Sequence, residues 1–282
     1  MSRAPSVIVG AGYLGARVAQ ELNASTCTCL GRSSGLNLDT NNALPVALPP
    51  LYQLLYTVPP AAHHDADRRL QRLLELLELL DAAPLGITYI STTGVYGDHA
   101  GAVVDEDAVL QADTGRAKRR VSAETILQAW TARQSVALTI LRAPGIYGPG
   151  RLGLERIENG DAVIRESDAF PGNRIHVTDL VNCCIAAMHT DAPAGIYNVG
   201  DGDHRSPTWF TQEVARQANL AMPPEISRAE AAKTSAESRI VDTTRMREKL
   251  GVQPKYANAE NGIRASLAFL SGLAANAAEP GR

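Results

Sequence analysis

No sign of charge dominates this chain: 27 Lys and Arg stand against 30 Asp and Glu, a formal net charge of −3. That balance removes the electrostatic reason to expect a nucleic-acid partner or an anionic membrane surface. Apolar residues make up 45% of the sequence, yet no run of them reaches the length that a bilayer requires. The N-terminus lacks the basic stretch, apolar run and cleavage site of an export signal, which predicts a cytoplasmic protein without a membrane partner. Cysteine is sparse, with Cys27 and Cys29 in one apolar strand and Cys183 and Cys184 adjacent in a helical stretch. That spacing fits neither a disulfide framework nor a zinc site and predicts small, buried, apolar residues. His63-His64-Asp65-Ala66-Asp67 has the composition of a metal cluster. Adjacent histidines point in different directions, however, and aspartates suit a helix start, so no metal is expected there. No internal repeat or low-complexity domain interrupts the chain.

What is present begins at the N-terminus. Ser6-Val7-Ile8-Val9 reads as a buried strand, Gly10-Ala11-Gly12-Tyr13-Leu14-Gly15 as a tight turn, and Ala16 to Leu22 as a helix. A G-x-G-x-x-G turn between strand and helix is a dinucleotide cradle. Gly10 lets the chain turn, Gly12 lets the backbone approach a pyrophosphate, and Gly15 lets helix and strand pack closely, while free N–H groups at the start of the helix, at Tyr13 and Leu14, face the phosphates. The next strand, Thr26 to Leu30, ends in Gly31-Arg32-Ser33-Ser34, with no carboxylate to accept from an adenosine ribose. A guanidinium at Arg32 with hydroxyl donors at Ser33 and Ser34 suits a 2′-phosphate, which favours NADP over NAD. The alternative is that Arg32 is a solvated loop residue.

At 282 residues the chain suits one large α/β domain with a smaller appendage. Apolar runs at Leu51–Val58, Leu85–Ile90 and Val136–Leu141 alternate with helical stretches, which predicts a doubly wound parallel sheet. The helix expected over Arg68–Ala82 carries leucines at 70, 73, 74, 76, 77, 79 and 80. So wide an apolar surface serves either a partner subunit together with its own sheet, or burial within one chain.

Chemistry is expected beyond the carboxyl ends of these strands. One strand leads into Ser91-Thr92-Thr93-Gly94-Val95-Tyr96-Gly97, the next into Arg142-Ala143-Pro144-Gly145-Ile146-Tyr147-Gly148-Pro149-Gly150. Later come Asn173-Arg174-Ile175-His176-Val177-Thr178-Asp179 and Gly195-Ile196-Tyr197-Asn198-Val199-Gly200. Together, over about residues 5 to 200, these segments resemble the extended branch of the short-chain dehydrogenase/reductase superfamily, which includes nucleotide-sugar epimerases and dehydratases. The resemblance implies a Rossmann-type cofactor domain over 1–149 and 174–200, and a substrate-side lid over 150–173 and 201–282. It implies cofactor contacts from Gly10, Gly12, Tyr13, Leu14, Gly15, Arg32, Ser33, Thr57 and Val58, and from Arg120, Pro144 and Ile146 farther along. It also implies a homodimer through the helices near 68–82 and 117–134.

The family's catalytic groups carry over only in part. The residue that holds the substrate oxygen corresponds to Thr92, a match, and Glu124 matches the Glu that follows the catalytic pair. The Tyr and Lys of that pair fall on Arg116 and Arg120. A guanidinium, with a pKa above about 12, cannot exchange a proton as the family's Tyr does, although Arg120 retains the donors needed to bind a ribose. Tyr96 is the nearest phenol and stands either as a replacement acid/base or as packing. Gly172 occupies the place of an Arg that grips the pyrophosphate of nucleotide sugars. Arg174, Arg151 and Arg156 lie nearby and favour an anionic small-molecule substrate, although a solvated surface explains them equally.

The C-terminal segment has a helix start at Pro207-Thr208-Trp209-Phe210, a break at Met222-Pro223-Pro224, a short strand and helix over 238–251, and a polar tail from Ala274. Three functions are compatible with this pattern. They are an atypical NADP-dependent oxidoreductase or epimerase using Thr92, a non-catalytic NADP(H) sensor or scaffold, and a nucleotide-sugar epimerase with relocated catalytic groups.

Overall fold

The computed structural model describes residues 4–22, 26–41, 43–62, 66–231 and 238–278. In chain order it holds β1 (Ser6–Val9), α1 (Tyr13–Glu21), β2 (Cys27–Leu30), β3 (Gln53–Tyr56), α2 (Arg68–Leu79), β4 (Gly86–Thr92), β5 (Val103–Val104), α3 (Gly115–Gln134), β6 (Ala137–Ala143) and β7 (Gly145–Tyr147). There follow α4 (Leu154–Glu158), β8 (Val163–Ile164), β9 (Arg174–His176), α5 (Val177–Ala187), β10 (Gly195–Asn198), α6 (Pro207–Gln217), β11 (Glu225–Ile226), β12 (Ile240–Val241), α7 (Thr244–Glu248) and α8 (Ala259–Ala278). His63, His64 and Asp65 lie outside the described residues.

Six parallel strands form the central sheet in the order β10-β6-β4-β3-β1-β2. Successive side chains of a strand point to opposite faces, and both faces are covered. Ile8, Leu55 and Leu141 pack against Leu14 and Val18 of α1 and Leu180, Val181, Cys183 and Cys184 of α5. Val7, Leu54 and Ile140 pack on the other face against α2 and α3. Cys183 and Cys184 are buried in the first of these layers.

Leu70, Leu73, Leu74, Leu76 and Leu77 are buried in the same chain, whereas Leu79 is 76% and Leu80 52% exposed. Asp67 caps the helix, accepting from the Leu70 amide.

No α-helix or β-strand lies between β2 and β3 among the described residues, so β2 is the sheet edge. The connecting loop buries Leu36 and Leu38 and is tied by asparagines: Asn41 donates to the Gly35 carbonyl, and the Asn37 side chain accepts from the Asp39 amide. It thereby returns toward the carboxyl end of the sheet.

A further core, largely within the segments expected to form a substrate-side lid, brings Tyr147, Leu152 and Ile157 against Val214 of α6 and Ile263 of α8. The division expected from the sequence places all of 201–282 there. Met246, Leu250 and Val252 pack into the layer beneath α5, and β12 pairs with β5. No described helix is long and apolar enough to cross a membrane.

Candidate functional site

The sheet order reverses about β1, whose neighbours β2 and β3 come from opposite crossovers. Ligands of open α/β sheets bind at such a switch point, beyond the carboxyl strand ends. A cavity of about 620 Å³ opens there. Val9, Leu30 and Tyr56 lie abreast in register, so the fingerprint turn, Arg32 and Thr57 emerge side by side.

The three glycines have distinct steric reasons. Gly10 has φ +107°, and a Cβ on it would lie 2.5 Å from the Thr57 hydroxyl. A Cβ on Gly15 would lie 2.1 Å from the Gly10 carbonyl oxygen. Gly12 has nothing within 4 Å of such a Cβ, so its bareness serves something other than the protein's own packing. It stands at the uncapped start of α1, where no acidic residue takes up the free N–H groups. The cradle fits a pyrophosphate.

At the outer end of the cavity Arg32 is 76% exposed, with Ser33 beside it. The loop after β2 also brings in Asp39, a carboxylate the sequence reading did not assign to this site. Asp39 accepts two 2.7 Å bonds from Arg69, at the start of α2, and lies 3.7 Å from Arg32. Neither contact has a local sequence signal, because both depend on the loop folding back.

At the inner end Arg120 donates to the Tyr89 hydroxyl at 2.9 Å and the Ile90 carbonyl at 2.8 Å. Its buried Nε has no hydrogen-bond partner among the described residues, which leaves a donor for a ligand hydroxyl. Tyr13, Leu14, Val58 and Ile146 complete the wall. Thus the open cradle at Gly12 and the unpartnered Arg120 Nε both fit a nicotinamide dinucleotide. Arg151 belongs here too, with its guanidinium 4.0 Å above the Tyr13 ring.

Gly15 is a packing glycine, and Pro144 lines a second cavity of about 430 Å³. Thr92, Thr93, Thr114, Asn173, Arg116 and Arg239 also line that second cavity. Thr92 Oγ1 accepts from the Gly94 amide, which leaves its hydroxyl proton to donate. Arg116 lines both cavities and joins them. A third cavity of about 460 Å³ shares Pro171 and Pro207 with the second and carries Arg156 and Arg228.

Tyr96 is 0% exposed and lines none of these cavities. Its hydroxyl accepts from Arg142 at 2.9 Å and donates to Asn198 at 2.7 Å, the packing arrangement that the sequence held open. Burial pushes its pKa up, against the pull of Arg142, so the phenol is a poor proton exchanger near neutrality. Glu124 is committed to the same buried network, bridging Arg142 and the Ser91 hydroxyl.

Arg174 does not replace the missing arginine at 172. Its buried guanidinium donates to Asp203 and to the carbonyls of Arg205 and Ser206. A Cβ at Gly172 would lie 2.6 Å from that guanidinium, so Arg174 fills the space a side chain at 172 would need.

The model of the NAD dependent epimerase/dehydratase family matches residues 58–200. A functionally unknown conserved protein from Silicibacter pomeroyi DSS is similar at 28% identity and TM-score 0.76, covering 94% of this chain and 99% of its own. UDP-glucose 4-epimerase from Thermotoga maritima, solved with UDP-glucose, shares 17% identity and TM-score 0.76 over 95% and 99%. RMD from Pseudomonas aeruginosa, complexed with NADPH, shares 15% identity and TM-score 0.75 over 97% and 100%. No curated protein matches the sequence. With its epimerase-like parallel sheet, its fingerprint and the family match over 58–200, the chain belongs to the NAD dependent epimerase/dehydratase family.

Proposed function

We propose that this protein is an atypical NADP(H)-dependent oxidoreductase or epimerase-like enzyme acting on a small anionic hydroxyl or carbonyl compound. The observation that carries this reading is the junction of two cavities, one with an open glycine cradle and the other with the free hydroxyl proton of Thr92. When bound, the nicotinamide supplies or accepts hydride. Thr92 donates to the substrate oxygen, and Arg120 holds the ribose through Nε. The proton passes to or from water, because the Tyr position is Arg116 and Tyr96 is sealed in a buried network.

NADP is the preferred cofactor in this reading. Arg69 neutralises Asp39, which leaves Arg32 to face a 2′-phosphate. The family resemblance further supports a homodimer through α2 and α3, with Leu79 and Leu80 exposed at the end of α2. Cytoplasmic residence is part of the same proposal.

The test is a substrate panel of small oxo and hydroxy acids, sugars and ketones, read by NADPH absorbance. Turnover that falls at least about tenfold in Thr92→Ala, with NADPH affinity retained, supports the assignment. Full turnover in that variant removes it. The replacement of both catalytic-pair positions by arginine favours a second reading, a non-catalytic NADP(H) sensor or scaffold. That reading requires tight NADPH binding with no turnover across the panel. A nucleotide-sugar epimerase draws support from the structural neighbours but meets a committed Arg174 where a diphosphate grip is needed. Binding of UDP-glucose would restore it.

A further inference from the structure

The substrate-side cavity is lined by two guanidiniums, Arg116 and Arg239, and by no carboxylate among the described residues. Arg239 is partly occupied, since its Nη1 donates to the Gly97 carbonyl. Arg116 is exposed, and its guanidinium makes no hydrogen bond or ion pair among the described residues. It alone of them lines both this cavity and the cofactor cavity, so its charge stands where the two ligands would meet.

Its helix makes that charge unusual. Thr114 caps α3, and the first two turns carry Arg116, Lys118, Arg119 and Arg120 with no acidic residue. A helix start has positive character and favours anions, so cations there are unfavourable unless a negative group arrives. Arg120 lies one turn beyond Arg116 on the same face; it hydrogen-bonds to neutral oxygens of Tyr89 and Ile90, with the buried Asp67 carboxylate also acting on its charge. An oxidised nicotinamide would add a further positive charge. An anion at the junction would balance the charge of Arg116.

We propose that Arg116 anchors a carboxylate on the carbon adjacent to the reacting one, so that the substrate is a 2-oxo or 2-hydroxy acid. The position between the cavities places the anion next to the reacting carbon. A planar fork of donors matches a carboxylate through two parallel bonds and fixes its orientation toward Thr92. The proposal rests on the enzymatic reading above and names its substrate class.

The experiment uses the full-length protein saturated with NADPH, after the NADPH affinity of each variant has been measured. Oxalate, uncharged oxamide and inorganic phosphate are titrated separately by calorimetry. Oxalate is expected to bind, with affinity reduced about tenfold or more in Arg116→Gln and partly retained in Arg116→Lys; oxamide is expected not to bind. The proposal is overturned by absence of oxalate binding, by equal oxalate affinity in Arg116→Gln, by oxamide binding as tightly as oxalate, or by a preference for phosphate over oxalate. The same titrations on cofactor-free protein separate the two claims: if NADPH does not bind, the cofactor reading fails, while dependence of oxalate affinity on Arg116 still supports the anchor and its absence still overturns it.

Discussion

Gly12 and Gly15 belong to one motif but answer to different forces. A Cβ at Gly15 would collide with the Gly10 carbonyl, whereas one at Gly12 meets nothing of the protein. Gly12→Ala is therefore expected to leave the melting temperature almost unchanged while weakening NADPH binding by about tenfold or more, as calorimetry and fluorescence titration would show. Gly15→Ala is expected to destabilise the fold. A parent-like NADPH affinity in Gly12→Ala would remove the phosphate-approach role. At the adenosine end, Arg32→Ala is expected to abolish most of the preference for NADPH over NADH, and Asp39→Asn to increase it by freeing Arg69. Equal binding of the two cofactors in the unmodified protein overturns the reading of Arg32. Arg32 was legible because only one residue, Gly31, separates it from the end of a strand. Asp39 and Arg69 were not, because asparagine-tied loop closure brings together residues with no common periodicity.

At the scale of elements, α5 depends on an unusual cap. The Nδ1 of His176 accepts from the Thr178 amide, and its Nε2 meets the Ser266 hydroxyl of α8, so one ring ties α5 to α8. Burial, with Lys255 and Arg17 adding to it, pushes the His176 pKa down to about 4. The unfolded chain then binds more protons between pH 6.5 and 4, so this contribution is complete above the unfolded value and is lost as pH falls toward 4, on the order of 3 kcal/mol in all. Asp201, pushed up to about 8 by burial, acts with the opposite sign: its contribution is complete at acid pH and is lost as pH rises through 8. Comparing His176→Asn, which keeps a capping side chain, with the parent isolates the histidine. The loss of stability on acidification from pH 6.5 to 4 is expected to be smaller in the variant, by denaturant titration. An unchanged loss refutes the assignment.

Across the whole molecule, α2 and α3 are expected to pair with their counterparts in a second chain. Light scattering at micromolar concentration is expected to give twice the chain mass, and Leu79→Glu with Leu80→Glu to reduce it to one. A single-chain mass in the unmodified protein removes the dimer. The sequence by itself determined the parallel sheet, the G-x-G-x-x-G turn and the arginines at 116 and 120. Each is written in short-range form: apolar runs, glycine spacing, or a residue type at a matched position. The tertiary structure decided what those residues touch. It closed Tyr96 into a network with Arg142 and Asn198, spent Arg174 on Asp203, and left Arg116 at the meeting of two cavities. The physical reason is that solvation and pairing of a charge depend on residues far away in the chain, and local pattern carries no record of them.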